Sequence, residues 1–471
     1  MNSMMSEGPA GRPVPWLWDD CRKRSKQWQL AVYFRRRNGK AEDGKRQART
    51  GRVKLRILLA HNQYAITGGA DVFYHDVGRL LAANGDQVAF FSCADSESAD
   101  SEWGSYFPSA ARYDQGNLVI RIARFPQMIY SRSAKHNFDA LLRDFKPDIV
   151  HAFAIYTKLT PSILDAAAHR GVPVVMTCND YKLICPNYSL YHHGKVCEEC
   201  KGGHFYNAVK NKCGHDSLIF SAGMAAESYA HDLSGIYRKR VDTFLFESEF
   251  IARKHEEFWG VGTFRWRLML KPFNSGAYTA STEADDYCLY VGRLHDSKGV
   301  HILLEALRNR PEVRLLVIGD GPERANLETI KQRLNLQHVE FLGWQSRAKV
   351  GEYLERCRFV VVPSIWYENF PYVITEAFAR GKPVIGSNRG GIPELVHQGE
   401  FGFVYDADSP DELRACIDRL WTDTGLSIRM GTAAKQWCDR RFTDEACYEG
   451  LQQVYADVIA RNRGKPTASA R

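Results

Sequence analysis

The chain has 471 residues, too many for one hydrophobic core, and its length predicts two or three domains. Its apolar content is ordinary for a globular protein, and we expect neither a transmembrane helix nor a signal peptide, because no long apolar run is present. The net charge of +8 lies in residues 1–52, which hold 13 Lys or Arg and five Asp or Glu, whereas the rest of the chain is neutral. The neutral body therefore gives no electrostatic reason to expect nucleic-acid binding, and only the N-terminal arm does.

The basic arm, residues 1–52, also carries large apolar side chains, among them Trp16, Trp18, Trp28 and Phe34. Basic and aromatic residues together are typical of a peripheral segment on an anionic membrane. A disordered tail, or a start codon placed too early, explains the same composition, because the apolar positions keep no clean helical period. Both interpretations stay open.

From residue 53 onward, strand and helix signals alternate, which predicts α/β units with parallel sheets. Two doubly wound domains are expected, at residues 53–272 and 273–440, joined by a Pro- and Gly-bearing linker at 271–286. The predicted strands are 53–61, 87–92, 118–125, 148–153, 172–177 and 241–246 in the first half, and 287–291, 313–318, 339–342, 359–362 and 383–385 in the second.

Two carboxylates flank a predicted helix start after strand 359–362. Glu368 lies in the strand-to-helix loop and Glu376 lies one to two turns into the helix, which Pro371 begins and Gly381 ends. A helix N-terminus is a natural anion site. A carboxylate beside a bound phosphate is unfavourable unless it bonds hydroxyls or a cation, so sugar and ribose hydroxyls are the expected partners of these two. Alternatively, Glu368 caps the helix and Glu376 is a solvated helix residue.

A second charged motif follows strand 287–291. Gly292-Arg293 and Lys298-Gly299 bracket a short loop, so that one guanidinium and one ammonium can reach the same anion. Ligands of doubly wound folds bind at the carboxyl ends of strands, which is where this motif falls. A solvated surface turn rarely begins with Gly-Arg directly after an apolar strand, so we expect a phosphate site.

Three glycine pairs also follow predicted strands: Gly68-Gly69, Gly319-Asp320-Gly321 and Gly390-Gly391. Gly68-Gly69, just after the first strand, lets backbone N–H groups approach a phosphate at a helix start, although a plain tight turn explains it as well. The sequence Gly319-Asp320-Gly321 is explained as a turn and supports the fold rather than the chemistry. Glu394, which follows the last pair, is expected to be a carboxylate at a helix start.

Together these motifs resemble the family-4 (group 1) retaining glycosyltransferases of the GT-B fold, and the resemblance covers nearly all of the chain after residue 53. It includes the E-x7-E signature at Glu368 and Glu376 and the G-R-x4-K-G pattern around Arg293 and Lys298. The fold that it implies is α/β, with two Rossmann-like domains and a C-terminal segment, residues 441–471, that crosses back to the first domain.

The resemblance implies roles for these residues. Arg293 and Lys298 would neutralise the leaving diphosphate in place of a catalytic metal, Glu376 would bind the ribose, and Glu368 would contact the sugar or its phosphate. The other residues implied at the donor site are Gly68, Gly69, Gly319, Asn369, Phe370 and Gly391.

The partners implied are a UDP- or GDP-sugar donor and a glycan or polyprenol-linked acceptor. The protein would then be a cytoplasmic hexosyltransferase of bacterial polysaccharide biosynthesis, with residues 1–52 as the candidate contact to the inner membrane. A GT-B-like sugar-nucleotide epimerase, or a non-catalytic zinc-bearing partner in an assembly complex, are the alternatives.

Relatives carry a sugar-contacting His where this chain has Asn179, in a T-x-H-D-Y context. Asn can donate and accept hydrogen bonds but cannot act as acid or base, so Asn179 cannot replace an acid or base function of that histidine. Asp180, a candidate catalytic residue, and His151 are the substitutes, although a satisfied strand-end histidine is an equally good interpretation of His151.

Four cysteines cluster in an insertion at residues 178–216, which resembles a cysteine-bearing loop in bacterial exopolysaccharide transferases of the family. Cys185, Cys197, Cys200 and Cys213 have the spacing C-x11-C-x2-C-x12-C, which predicts a structural zinc site. An iron–sulfur cluster, a redox pair at Cys197 and Cys200, or unligated thiols are the other interpretations.

Asp406 and Asp408 spell D-x-D, a metal motif of another glycosyltransferase fold. Ser409, Pro410 and Glu412 follow directly and form a capping-box pattern. We therefore expect the two aspartates to be helix-entry residues.

Overall fold

A computed structural model describes residues 54–95, 101–109 and 118–463, with the backbone alone for residues 118–123. The predicted membrane-surface arm, residues 1–52, lies outside the described residues, as does the chain after residue 463. Within these ranges no helix is both long and apolar enough to span a bilayer.

The first half of the described chain forms a six-stranded parallel sheet in the order β2-β1-β3-β4-β7-β8. Its central strands β3 and β4 are mostly apolar and every residue in them is buried, as expected of a parallel sheet covered by helices. The strands are β1 (Arg56–Gln63), β2 (Gln87–Cys93), β3 (Ile149–Phe153), β4 (Val174–Cys178), β7 (Thr243–Phe246) and β8 (Trp266–Leu268), and a separate hairpin consists of β5 (Tyr191–His192) and β6 (Lys195–Val196). The helices are α1 (Gly69–Ala83), α2 (Leu118–Ile129), α3 (Arg132–Phe145), α4 (Ser162–His169), α5 (Tyr206–Lys210), α6 (Leu218–Ser234), α7 (Ile236–Arg240) and α8 (Glu249–Trp259).

The second half forms another six-stranded parallel sheet, in the order β11-β10-β9-β12-β13-β14. This order is that of the dinucleotide-binding Rossmann fold. The strands are β9 (Cys288–Val291), β10 (Leu315–Ile318), β11 (Val339–Gly343), β12 (Val360–Val362), β13 (Val384–Ser387) and β14 (Gly402–Tyr405). The helices are α9 (Val300–Ala306), α10 (Arg324–Arg333), α11 (Arg347–Arg356), α12 (Tyr372–Phe378), α13 (Ile392–Val396), α14 (Pro410–Thr422), α15 (Thr424–Arg441) and α16 (Asp444–Arg463).

Each sheet has a point where the strand order reverses. It lies between β1 and β3 in the first sheet and between β9 and β12 in the second. The loops that leave the two strands on either side of such a point diverge, and a crevice opens between them. The loop after β1 carries Gly68 and Gly69, and the loops after β9 and β12 carry the two charged motifs.

Helix α16 returns to the first sheet. Tyr448, Leu451, Tyr455 and Val458 are buried in one cluster with Ile57 and Leu59 of β1. The hydroxyl of Tyr455 lies 2.7 Å from Nδ1 of His151 on β3. The expected architecture, two doubly wound sheets with a C-terminal helix that crosses back, is therefore confirmed.

One predicted strand is wrong. Residues 118–125 were expected to be a strand, whereas the backbone is helical from Leu118 to Ile129. Apolar residues at 118, 122, 125 and 129 also satisfy a helical period, and a short apolar run does not decide between the two.

The D-x-D sequence enters a helix, as expected. Ser409 caps α14 by accepting a hydrogen bond from the Glu412 N–H at 3.2 Å. The Glu412 carboxylate accepts from the Asp406 N–H at 2.9 Å, so the reciprocal bond falls three residues before the position that an ideal capping box uses.

Candidate active site

The loop after β9 is held against the end of β12 by a glycine. Gly299 has a φ of 66°, and a Cβ at this position would lie 1.9 Å from the carbonyl oxygen of Pro363. No other residue fits such a close approach in the left-handed region. The contact brings Lys298 to the Glu368 loop.

Lys298 and Glu368 form the centre of the charged cluster. The Lys298 Nζ lies 2.6 Å from Oε1 of Glu368, and the Ser364 hydroxyl donates to the same oxygen at 2.6 Å. Burial alone would raise the pKa of the Glu368 carboxyl, but the Lys298 ammonium and the Ser364 hydroxyl bring it below its ordinary value. Glu368 is therefore an ionised carboxylate at neutral pH, although only 8% of its side chain is exposed.

Two of the glycine pairs pack onto these loops. Gly319 has a φ of 136°, and a Cβ there would lie 1.9 Å from the Gly292 carbonyl oxygen. Gly390 has a φ of 64°, and a Cβ there would lie 2.0 Å from the Glu368 carbonyl oxygen. A Cβ on Gly391 would lie 2.3 Å from the carbonyl oxygen of Asn369. The structure thus brings these predicted motifs together at one edge of the second sheet.

The charged groups of Arg293 and Glu376 are accessible at this edge of the second sheet. The Arg293 side chain is exposed, and its guanidinium makes no ion pair with a described residue. The Glu376 carboxylate lies 3.7 Å from Arg347 and 22% of its side chain is exposed. Burial raises the pKa of Glu376, and the neighbouring arginines offset part of that rise.

Asn369 and Phe370 lie between the two carboxylates. The Asn369 amide nitrogen donates to the Asn179 carbonyl of the first half, and its Oδ1 is buried without a hydrogen-bond partner among the described residues. A buried, unpaired amide oxygen is a position that a ligand hydroxyl can satisfy. The Phe370 ring packs against Phe442 at 5.8 Å and against the Lys271 ammonium at 5.4 Å.

The glycine loop of the first half faces open space. Gly68 has an extended backbone with a φ of −157°, which any residue can adopt, and a Cβ on Gly69 would meet nothing within 4 Å. The tight-turn interpretation therefore does not explain these glycines. The loop is fixed by Asp71, whose Oδ2 accepts from the backbone N–H groups of Thr67 and Gly68, both at 2.8 Å.

Asp180 follows β4, at the same edge of the first sheet. Its Oδ1 accepts from the Lys182 N–H at 2.9 Å. Burial raises the pKa of Asp180 to about 6. A carboxyl with this pKa is present in both protonation states near neutral pH.

His151, the other substitute for the missing histidine, is a buried core residue. Its Nε2 lies 2.7 Å from the Thr177 hydroxyl and its Nδ1 is paired with Tyr455. Burial lowers its pKa to about 3, so the ring stays neutral. The interpretation of a satisfied strand-end histidine applies, and a role at the sugar does not.

Glu394 caps a helix, although not its own. Its carboxylate accepts from the backbone N–H groups of Glu249 and Phe250, at 2.8 and 2.6 Å, at the first turn of α8. A residue of the second half thus satisfies the start of a helix in the first half.

The four clustered cysteines line one small cavity together with Asn187 and Tyr191. Burial raises the pKa of the Cys200 thiol, and burial together with the thiols of Cys185 and Cys197 raises that of Cys213 to about 12. Among the described residues, no group of three or more His, Cys, Asp or Glu side chains is arranged to hold a metal ion. The geometry therefore gives the zinc prediction no support.

Two buried pairs near the crevice were missed by the sequence interpretation. His61, at the end of β1, places Nε2 2.8 Å from Oδ1 of Asp71. Lys271 lies 2.9 Å from Glu247 and 3.8 Å above the Tyr372 ring. The position of His61 at a strand end, before the glycine pair, was a signal that could have identified the first pair, whereas nothing in the sequence connects Lys271 with Glu247.

Comparison with known proteins defines the class. The profile of the glycosyl transferases group 1 matches residues 278–437, and that of glycosyltransferase family 4 matches residues 67–267. Glycogen synthase of Mycobacterium tuberculosis is 31% identical over 438 residues, which cover 87% of this chain and 96% of that protein. The chain therefore belongs to the group 1, family-4 glycosyltransferases.

Other relatives match over shorter stretches. An uncharacterised glycosyltransferase of Methanocaldococcus jannaschii is 32% identical over 186 residues, 40% of this chain and 50% of that protein. The lipopolysaccharide core biosynthesis glycosyltransferase LpsE of Rhizobium meliloti is 29% identical over 167 residues, 35% of this chain and 48% of that protein. These two alignments span about half of the relatives' length.

Solved structures share the fold. Anabaena Alr3699/HepE, crystallised in complex with UDP, has a TM-score of 0.61 at 19% identity and matches over 86% of this chain and all of that one. Sucrose-phosphate synthase of Thermosynechococcus elongatus has the same score at 20% identity, with 86% and 99% coverage. Both similarities extend across both sheets, as the GT-B architecture requires.

Proposed function

We propose that the protein transfers a hexosyl group from a nucleoside diphosphate sugar to a glycan or lipid-linked oligosaccharide, with retention of anomeric configuration, in the biosynthesis of a bacterial polysaccharide. The observation that carries the proposal is the Lys298–Glu368 pair at the strand-order reversal of the second sheet, beside the exposed Arg293. Two cations, of which Arg293 makes no ion pair with a described residue, suit the two phosphates of a nucleotide sugar.

The donor would lie along the second half, residues 273–440. Arg293 and Lys298 would bind the diphosphate, and the Glu376 carboxylate would accept hydrogen bonds from ribose hydroxyls. Glu368 would contact the sugar or its leaving phosphate. Gly319, Gly391 and the Asn369 amide would contribute backbone and side-chain groups to the same donor.

Catalysis would proceed on one face of the sugar. The bond between the anomeric carbon and the phosphate oxygen breaks while the acceptor hydroxyl oxygen forms the new bond. The acceptor proton passes to the donor phosphate oxygen, and the nucleoside diphosphate leaves. Stabilisation of its developing charge by Arg293 and Lys298 would be the largest contribution.

The first half, residues 53–272, would bind the acceptor and limit hydrolysis. A Cβ on Gly69 would meet nothing within 4 Å, and the Gly68-Gly69 loop and Asp180 both follow strands of the first sheet, at the same edge. Closing the crevice around the donor would exclude water from the anomeric carbon. Asp180 can exchange a hydrogen bond with a sugar hydroxyl in either protonation state.

The names of the relatives indicate which donors and acceptors to test first. Anabaena Alr3699/HepE was crystallised with UDP and with UDP-glucose, and LpsE acts in lipopolysaccharide core biosynthesis. UDP-sugars and polyprenol-linked or lipid-linked saccharides are therefore the first donors and acceptors to test. An acceptor of this kind would place the enzyme at the cytoplasmic face of the inner membrane.

The test is a transfer assay with labelled UDP- and GDP-sugars and lipid-linked acceptors, followed by assignment of the anomeric configuration of the product. We expect acceptor-dependent transfer with retention, a loss of at least about 100-fold in Arg293→Ala and Glu376→Ala, and unchanged transfer in Arg308→Ala and Glu312→Gln. Both control residues are exposed and precede β10, at the opposite edge of the sheet.

Three outcomes would contradict the proposal. If Arg293→Ala and Glu376→Ala both transferred within a few-fold of wild type, the site would be wrong. Conversion of the donor without an acceptor would indicate an epimerase. Absence of any reaction with every donor would favour the alternative of a non-catalytic partner in an assembly complex.

Membrane binding by residues 1–52 has its own test. We expect deletion of residues 1–50 to reduce the fraction of protein that sediments with anionic liposomes, because that segment holds 12 Lys or Arg against five Asp or Glu and so carries nearly all of the chain's net charge. An unchanged fraction would rule out the arm as the contact.

A further inference from the structure

The cysteine-bearing insertion reaches across the crevice to the loop after β9. Tyr191, on the hairpin strand β5, donates from its hydroxyl to Oδ2 of Asp296 at 3.2 Å. Asp296 lies between Arg293 and Lys298 in the sequence. The first half therefore contacts the middle of the loop that carries both cations.

The same insertion also reaches the loop after β12. Glu198 lies between Cys197 and Cys200, and its Oε1 accepts from the Tyr367 hydroxyl at 2.9 Å. Lys254 of α8 lies 2.9 Å from the same carboxylate and 5.3 Å from the centre of the Tyr367 ring. Tyr367 immediately precedes Glu368, so this contact fixes the residue next to the buried carboxylate.

The segment that makes both contacts is internally braced. We call residues 190–200 the strap. The Cys197 N–H donates to the Leu190 carbonyl at 2.8 Å, which closes the hairpin of β5 and β6. The Asn207 amide donates to the Glu199 carbonyl at 2.7 Å, and Cys197 and Cys200 lie at the wall of the thiol-lined cavity.

We propose that the strap holds the two donor loops of the second half in register across the crevice, with Tyr191 and Glu198 as positioning residues for the diphosphate site. The role of that site rests on the function proposed above. Neither residue is assigned a contact with the donor: Tyr191 acts through Asp296, and Glu198 acts through Tyr367. The strap touches Asp296 and Tyr367 on both loops that flank the strand-order reversal, where the two cations and Glu368 must converge.

A positioning role of the strap can be distinguished from a purely structural role by comparing donor affinity with the melting temperature. The side chains of Glu198, Asp296 and Tyr367 are partly exposed, whereas Tyr191 is buried but lies outside the hydrophobic clusters under the two sheets. Loss of either contact should therefore change donor affinity far more than the melting temperature. A structural brace would change both together.

The first experiment compares Glu198→Ala, Glu198→Gln and Tyr367→Phe by donor KM, kcat and UDP affinity. We expect Glu198→Ala and Tyr367→Phe each to raise the donor KM about three- to tenfold with a smaller change in kcat, because each removes the same hydrogen bond. The donor KM of the Glu198→Ala/Tyr367→Phe double variant should be no higher than that of the single variant with the higher KM. The donor KM of Glu198→Gln should lie between those of wild type and Glu198→Ala, since an amide oxygen still accepts a hydrogen bond from Tyr367.

The matched control is Glu199→Ala, the neighbouring residue of the same cysteine pair, whose side chain is exposed and bonds only to Asn211 within the described residues. It should keep the wild-type KM. If Glu198→Ala matched Glu199→Ala, or if the effects of Glu198→Ala and Tyr367→Phe were fully additive, the proposal would be overturned.

The second experiment needs no ligand, so it separates the strap from the proposed function. Hydrogen–deuterium exchange of the ligand-free full chain should become faster at residues 293–299 in Tyr191→Phe and at 364–371 in Glu198→Ala, and stay unchanged in β7. Unchanged exchange in both loops would overturn the strap even in an active enzyme. Faster exchange in a protein that binds no nucleotide would support the strap and reject the proposed function.

Discussion

The charge balance at Lys298 and Glu368 decides the chemistry available at the crevice. The carboxylate is almost buried and its oxygen accepts from Lys298 and Ser364, so it depends on the ammonium for its charge. A nucleotide diphosphate arriving at Lys298 would compete for that ammonium. The pair would therefore couple donor binding to the protonation and position of Glu368.

Removal of Lys298 should cost stability as well as binding. Lys298→Ala leaves the Glu368 carboxylate buried without its cation, and we expect a loss of about 1–3 kcal/mol in unfolding free energy together with loss of UDP binding. Adding Glu368→Gln should restore the melting temperature without restoring binding. A double variant less stable than Lys298→Ala would contradict this account.

Asp180 gives a pH-dependent prediction. Its pKa in the folded protein is about 6, above the ordinary 3.8, so ionising it costs stability at every pH above 6 and the cost disappears as pH falls toward 3.8. Asp180→Asn should therefore raise the melting temperature relative to wild type at pH 8, and by less at pH 5. Thermal unfolding at the two pH values checks this. An equal difference at both would show that the Asp180 pKa is not raised.

At the scale of elements, the positions of the motifs were predictable and their partners were not. Apolar runs that end in Gly-Arg or Gly-Gly mark strand ends, so the sequence places Arg293, Lys298 and the glycine pairs at one edge. The pairing of Tyr191 with Asp296 joins residues 105 apart, and nothing local to either indicates it. Helix α2 was mistaken for a strand because its apolar residues satisfy both periods.

Helix α8 depends on a carboxylate from the other half of the chain. Glu394 accepts from the first two N–H groups of α8, and we expect Glu394→Ala to lower the unfolding free energy by about 1–2 kcal/mol, with Glu394→Gln intermediate because the amide oxygen still accepts. Glu400→Ala, at an exposed position six residues further on, is the control. A melting temperature in Glu394→Ala equal to that of Glu400→Ala would contradict the capping role.

At the scale of the whole molecule, α16 ties the end of the chain to the first sheet. Tyr455 is fully buried against β1 and its hydroxyl satisfies His151. Tyr455→Phe leaves Nδ1 of a neutral, buried histidine unpaired, and we expect a loss of about 1–3 kcal/mol. Melting curves of Tyr455→Phe and of the exposed control Tyr206→Phe make the comparison, and equal curves would contradict the tie.

The two-sheet architecture could be predicted because strand and helix signals alternate along each half of the chain. The contacts between the two halves could not be predicted, because they join residues far apart in the chain: Glu394 with α8, Asn369 with Asn179, and the strap with both donor loops. Cysteine spacing predicted a zinc site that the geometry of the described residues does not support, although the four thiols line one cavity.

We propose that the edge of the second sheet binds a nucleoside diphosphate through Arg293 and Lys298. Calorimetric titration of the full chain with UDP and with GDP tests it most directly, since it needs no acceptor. We predict that one of the two nucleotides binds to wild type, that Arg293→Ala weakens this binding at least about tenfold, and that Arg308→Ala leaves it unchanged. Equal affinities in the two variants, or no binding of either nucleotide to wild type, would contradict the claim.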